Sequence, residues 1–331
     1  VLRSFAYVFN QVGMCVGMVL PSITVDYCMN MGKTSQQSWQ IVGMMTGICG
    51  AAALLICALT IKLDDKKDFV KPPKKKKEPL YKILPTMMKG YWEILKLKPV
   101  RTIIGASLTY LIANITFSSD RVFFMKFNLG MGDKAISAML MVITIAGVCS
   151  VPFITKLAVK LEKKKVFMYG IGICGVLMMA SRFVGVEGKL GLVAVCLFYA
   201  FANACYWQLM PSMLYDVCEV EELISGEKHS GAVISLQALS ESLSIAVGVQ
   251  MLGIILEMSG FNSELSVQTE LALTWVENAF AFIPGAAMVL MAVIISRYPV
   301  SKEVFSKVMD ALNRRKSGEE VDIKEFEDIF G

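Results

Sequence analysis

Runs of roughly 20 residues with almost no Lys, Arg, Asp or Glu recur along this 331-residue chain, and that pattern restricts the folds open to it. A bilayer's hydrocarbon core is about 30 Å thick, which is the length of about 20 helical residues. Lipid offers no water to unpaired backbone groups, so a run that crosses it must be helical. Eight spans can be placed, at about 5–27, 40–62, 102–124, 136–158, 166–185, 190–214, 232–256 and 276–297. Composition agrees: 55% of residues are hydrophobic and 18% are charged, against about 25% charged in soluble chains. The expected fold is all-α, a polytopic transmembrane helical bundle.

The connectors orient that bundle. Lys62 to Arg101 carries thirteen Lys or Arg against five Asp or Glu, including KPPKKKK at Lys71 to Lys77, and Lys156 to Lys165 carries five Lys. By contrast, Glu257 to Asn278 has no Lys or Arg, and Asp26 to Gln40 has only Lys33. Basic connectors stay on the cytoplasmic side, and the basic and poor connectors alternate here without a violation. Eight spans then put both ends in the cytoplasm of a multi-pass cell-membrane protein. Residues 64–101 read as a basic cytoplasmic loop between two spans, in 1–63, and six, in 102–298. Residues 299–331 read as a cytoplasmic tail with an amphipathic helix around Val304, Val308 and Leu312. The lysine-rich loop suits contact with anionic membrane lipid, and nucleic acid is not an expected partner. Val1 already enters an apolar segment with no initiator Met, the pattern of a fragment or a trimmed chain.

Chemistry of the catalytic kind is missing. Most of the nine cysteines sit inside apolar runs, without CxxC and without metal-like spacing to His229, the single histidine, so they read as small buried hydrophobes and no metal site is expected. HExxH, GxSxG and P-loop patterns are absent, so no catalytic residue, no enzyme activity and no resident cofactor is expected.

Informative residues are the polar ones inside spans. Glu241 lies near the middle of the seventh span, where insertion of an Asp costs about 2.5–3.5 kcal/mol, so it should face a cavity or a partner rather than lipid. Gln237, Glu241, Ser244 and Gly248 fall on one helical face with it. In the sixth span Tyr199, Asn203 and Trp207 recur at steps of four, and an aromatic ring beside polar groups suits stacking of a sugar ring or a similar solute. The third span repeats the pattern with Ser107, Tyr110 and Asn114 before ending in Asp120 and Arg121. Stripes on several helices imply a shared wet cavity; helix packing through Asn and Ser, or anchoring of Trp207 at the lipid interface, is the competing reading.

Between the sixth and seventh spans lies DVCEVEELISGEKHSG, Asp216 to Gly231. Asp216, Glu219, Glu222, Gly226, Lys228 and Gly231 occupy the places of a pattern close to D-x-x-D-Y-x-E-x-x-x-G-x-R-x-[ES]-G, and here the chain resembles the glycoside-pentoside-hexuronide, melibiose permease-like, cation symporters of the major facilitator superfamily. Val220 stands where Tyr is usual. Trp207, nine residues before Asp216, Ser235 with Gln237 after it, and Tyr110, Asn114 and Phe123-Phe124 agree in register. The resemblance implies a partial major facilitator fold, with the spans taking the places of helices five to twelve of a twelve-helix carrier and about the first four absent. Residues 1–63 would then be the last two helices of the N-terminal bundle, 64–101 the central loop and 102–298 the C-terminal bundle. It also implies that the coupling cation, Na⁺ or H⁺, binds on the absent N-terminal part. The lysine that many members carry in the eleventh helix falls at Ser242, one residue after Glu241, a turn of about 100°.

The resulting expectation is a solute carrier for a sugar or glycoside, coupled to Na⁺ or H⁺ by alternating access. Trp207 would stack on the solute, Asn203, Gln237, Tyr110 and Asn114 would contact its hydroxyls, and Glu241 would be the charged member. Asp216, Glu219, Glu222 and Lys228 would form a cytoplasmic gate; a solvated acidic loop is the plainer alternative. A carrier for a lipid or organic anion, and a non-transporting truncated membrane protein, remain open at this stage.

Overall fold

A computed structural model of the chain describes residues 2–60, 80–186, 188–262, 265, 267–317, 319 and 323–330. Among them no strand occurs. The helices are α1 (Leu2–Asn30), α2 (Ser35–Thr60), α3 (Leu80–Lys96), α4 (Lys98–Phe123), α5 (Asp133–Leu161), α6 (Lys163–Val184), α7 (Lys189–Ser225), α8 (Ser230–Met258), α9 (Glu270–Glu277), α10 (Ile283–Ser296), α11 (Lys302–Lys316) and α12 (Lys324–Phe330). Two π-helical segments, Phe124–Asn128 and Asn278–Phe282, extend α4 and join α9 to α10. Seven stretches among the described residues are long and apolar enough to cross a membrane, in α2, α4, α5, α6, α7, α8 and α9–α10. They match the last seven expected spans. The first expected span is α1, a helix of 29 residues.

Two expectations about connectors change. The 64–101 segment is not all loop, because α3 occupies Leu80–Lys96 and α4 begins at Lys98. Its apolar residues recur at helical spacing (Leu84, Met87, Tyr91, Ile94), and Ile94 and Leu95 pack on the buried core. The KPPKKKK run at Lys71–Lys77 lies outside the described residues. The acidic stretch after Leu214 is also helical: α7 runs 37 residues to Ser225, about 55 Å. No Gly or Pro falls between Leu214 and Gly226, which ends the helix in the left-handed conformation at φ 78° with its N–H on the Glu222 carbonyl. Only Gly226–His229 links α7 to α8.

The chain divides into two compact units, Phe9–Pro85 and the remainder, Val1–Val8 with Thr86–Gly331. In the smaller unit α2 opens on a reciprocal cap: the Thr34 N–H donates to Gln37 Oε1 at 3.2 Å, and the Gln37 N–H donates to Thr34 Oγ1 at 3.3 Å.

In the larger unit the helices form a ring. Helix α5 packs on α7, α7 on α6, α6 on α10, α10 on α4 and α4 on α8, and α8 returns to α7. The α6–α10 contact depends on paired glycines: a Cβ on Gly175 would lie 2.7 Å from the Gly285 carbonyl oxygen, and one on Gly285 would lie 2.7 Å from the Gly175 oxygen. Bundles in lipid are held by such close backbone approach, since lipid and side chain are equally apolar. Gly248 of α8 does the same against Ile115 of α4. Phe124 stacks on Phe280 with ring centroids 4.2 Å apart, joining the two π segments, and Phe117 stacks on Phe280 at 5.0 Å. Large apolar side chains such as Phe153, Tyr169 and Phe183 face outward, as lipid contact requires. Pro211 inside α7 has no N–H, so the Trp207 carbonyl four residues back lacks its helical donor.

Candidate functional site

Helices α4, α7 and α8 converge on a buried polar cluster whose hub is Tyr206. Its ring stacks on Tyr110 of α4 at 4.1 Å and meets Trp207 edge-on at 5.3 Å. Its hydroxyl lies 2.5 Å from Ser107 Oγ, and Gln237 Nε2 of α8 donates to Ser107 Oγ at 2.6 Å and to the Tyr206 hydroxyl at 3.4 Å. Gln237 Nε2 also reaches Glu241 Oε1 at 3.2 Å, one turn along α8. Each of these groups is polar inside an apolar bundle, and each pairing offsets a desolvation cost of about 1–3 kcal/mol for a group left unpaired.

The six expected solute contacts fall into two neighbouring sets. Trp207, Gln237 and Glu241 line one cavity of about 230 Å³, together with Tyr206, Pro211 and Tyr215. Trp207 is partly exposed and Gln237 is buried. The other three bond to one another: Asn114 Nδ2 donates to Asn203 Oδ1 at 2.8 Å, and the Tyr110 hydroxyl donates to the same oxygen at 3.4 Å. The Tyr110–Tyr206 stack connects the sets. Tyr199, from the same stripe, pairs with the Ser118 hydroxyl at 3.0 Å and stacks on Phe117 at 3.9 Å. Asp120, at the far end of α4, is fully buried, and neither carboxylate oxygen has a hydrogen-bond partner among the described residues.

Tyr206 is the residue that the sequence reading passed over. Steps of four pick out Tyr199, Asn203 and Trp207, yet 3.6 residues per turn make 199, 203, 206 and 210 an equally good stripe. Tyr206 and Met210 are the buried pair, and Trp207 is turned toward the cavity mouth.

In the charged set at the other end of α7, Asp216 and Glu222 have lysines beside them. Lys163 at the start of α6 donates to both Asp216 oxygens, at 2.7 and 3.0 Å. Glu222 lies 3.6 Å from Lys228 and 3.9 Å from Lys316 of α11. Glu219 joins neither pair. Glu221, outside the expected set, is the buried carboxylate: it accepts from the His229 N–H at 3.2 Å and lies 2.9 Å from His229 Nδ1. Arg315 of α11 donates to the Leu223 carbonyl at 3.2 Å, satisfying one of the last carbonyls of α7. Val308, Ala311 and Leu312 bury the apolar face of α11 below it.

The ring of membrane-length helices thus holds a cavity between α7 and α8, beside a buried polar cluster that these two share with α4. The family described as MFS/sugar transport protein matches over residues 1–302, and the chain belongs to it. Among curated proteins, a glucuronide carrier protein homolog of Escherichia coli (strain K12) is 24% identical over 224 residues, covering 66% of this chain and 48% of that protein. A protein named as an uncharacterized symporter, from Synechocystis sp., is 24% identical over 140 residues, 40% of this chain and 26% of that protein. The chain thus spans about half the length of the first of these relatives and about a quarter of the second.

Proposed function

We propose that the chain belongs to a secondary transporter of the cell membrane that takes up a sugar or glycoside with Na⁺ or H⁺ by alternating access. Residues 1–63 would supply two helices to one bundle, 64–101 the connection, 102–298 the second bundle, and 299–331 a tail on the cytoplasmic side with both ends of the segment. The observation that carries this reading is the sharing of one cavity by Trp207, Gln237 and Glu241. An indole face for a sugar ring, an amide, and a carboxylate that accepts hydrogen bonds from hydroxyls are the groups a pyranoside needs. Asn203, Asn114 and Tyr110 are bonded to one another outside this cavity and would contact the solute on opening of those bonds.

The cavity also speaks to substrate charge. Among the described residues its one charged lining group is the Glu241 carboxylate, which would repel a hexuronide or another organic anion and accept hydrogen bonds from a neutral glycoside. No cation site is assigned to the described residues. Pairing of Asp216 with Lys163 fits a gate at the basic end of the bundle, with Glu222, Lys228 and Lys316 beside it.

The test is uptake by the full-length protein of a panel of neutral glycosides and glucuronides, with and without Na⁺ and across a pH gradient. Cation-stimulated uptake of a neutral glycoside, lost in Trp207→Ala and in Glu241→Gln, is expected. Equal uptake by wild type and the double variant would remove the site assignment. Preference for glucuronides would overturn the charge argument, and no uptake of any solute would favour a non-transporting role.

A further inference from the structure

A second cavity, of about 400 Å³, lies at the junction of α5, α6, α7 and α11, apart from the Trp207 cavity. Lys163, Lys164 and Lys302 line it, with Asp216 and Glu162. The charges do not cancel. Asp216 is taken by Lys163, and Glu162 lies 3.5 Å from Lys165. Among the described residues Lys164 donates to a neutral group, the Tyr298 carbonyl at 2.5 Å, with the Glu162 charge nearby, and Lys302 forms no ion pair. Three ammonium groups thus face two carboxylates in the lining, with the Glu162 charge shared between Lys164 and Lys165, and Lys302 is the cation left over.

An unused donor accompanies them. Tyr298 lines the cavity and is 2% exposed, and its hydroxyl has no hydrogen-bond partner among the described residues. Burial pushes this phenol up, with the Asp216 charge adding to the effect, so it stays protonated and able to donate. A buried O–H without an acceptor is costly, and an anion oxygen would satisfy it.

Apolar residues make up the rest of the wall, including Ala158, Val159, Leu209, Met213 and Phe305. Val159 is 78% exposed on the outer surface of α5. The cavity sits where the Ala135–Leu161 span ends and the Lys163–Val184 span begins, the level of lipid headgroups. A soluble phosphate needs no such wall, whereas an acyl chain lies along one.

We infer that this cavity binds the phosphodiester headgroup of an anionic phospholipid, with Lys164, Lys302 and the Tyr298 hydroxyl on the phosphate and an acyl chain along Val159. The assignment depends on the chain lying in a membrane and not on which solute it carries. Basic recesses between spans on the cytoplasmic side are suited to such lipids.

Native mass spectrometry of the full-length protein in detergent, titrated with phosphatidylglycerol or phosphatidylcholine, tests it. Wild type is expected to prefer phosphatidylglycerol, and Lys302→Gln to lower that affinity about fivefold, the effect of one surface-level lysine. Lys164→Gln with Lys302→Gln should lower it roughly 25-fold while leaving phosphatidylcholine binding unchanged. Tyr298→Phe, which keeps the ring, should also weaken phosphatidylglycerol alone. Lys302 is exposed, so its single variant keeps the fold and decides the matter should the others not purify. Unchanged phosphatidylglycerol affinity in Lys302→Gln, or equal wild-type affinity for the two lipids, overturns the proposal. Displacement of phosphatidylglycerol by millimolar inorganic phosphate would instead make this a free-phosphate site.

Discussion

Gly175→Ala adds one methyl group to the middle of α6, and the structure sets its effect. The new Cβ would lie 2.7 Å from the Gly285 carbonyl oxygen, 2.8 Å from Met288 Cβ and 3.1 Å from Val289 N. Ordinary contact begins at 3.4 Å, so the approach is about 0.7 Å too close. Two of the three atoms are backbone in α10, which no rotamer change can move. The helices must separate as rods, and a gap of 0.5–1 Å forfeits about a quarter to a half of each dispersion contact along the seam. Overpacking of this kind costs about 1–3 kcal/mol, and for a soluble domain of 150–250 residues each kcal/mol lowers the unfolding midpoint by about 2–4 °C. The assay is the thermal midpoint of the purified full-length protein in detergent. Gly253→Ala on α8 is the control, because nothing lies within 4 Å of a Cβ there, and a small gain in helix propensity is expected. A Gly175→Ala midpoint equal to that of Gly253→Ala would refute the close packing of α6 on α10.

Other outcomes follow from the same geometry. Tyr206→Phe keeps the Tyr110 stack but removes the hydroxyl shared with Ser107 and Gln237; a destabilisation of about 1 kcal/mol, read as a lower thermal midpoint, and weaker solute affinity are expected, and an unchanged KM would separate this cluster from binding. Lys163→Asp and Asp216→Lys should each destabilise, and together recover part of the loss, with a coupling of about 0.5–3 kcal/mol in a double-mutant cycle of thermal midpoints; strict additivity would deny the pair. Gly226→Ala places a side chain at φ 78° and 2.9 Å from Arg315 Nη2, so it should expose the α11 region to limited proteolysis at a rate well above that of wild type. Pro211→Ala restores a donor to the Trp207 carbonyl and should raise the thermal midpoint while lowering the maximal uptake rate; faster uptake would contradict a role for this break in the helix.

Much of this architecture is legible in the amino-acid sequence because lipid imposes a length and a polarity on every crossing helix. The last seven spans follow from that rule alone. It fails at connectors, where helices need not be apolar: α3 is hidden among lysines, and the last turns of α7 among carboxylates, although their helical spacing and the stop at Gly226 are visible in hindsight. Within spans, single polar residues such as Glu241 are conspicuous because they are costly. Tyr206 is not, since a tyrosine beside a tryptophan in an apolar run is equally a filler of space, and only its neighbours on α4 and α8 distinguish it. The Glu221–His229 contact is of the same kind, resting on the path of four residues between two helices.

Helix α7 carries both charged and aromatic groups on one continuous shaft, with Trp207 about 13 Å from Asp216 and a single missing hydrogen bond between them. Such a shaft behaves as a crank with one compliant joint. In the gate proposed above, a rotation imposed at the indole end would reach the Lys163–Asp216 pair through Pro211, so the angle at that joint, and not the strength of either end alone, would decide whether the cavity and the pair move together.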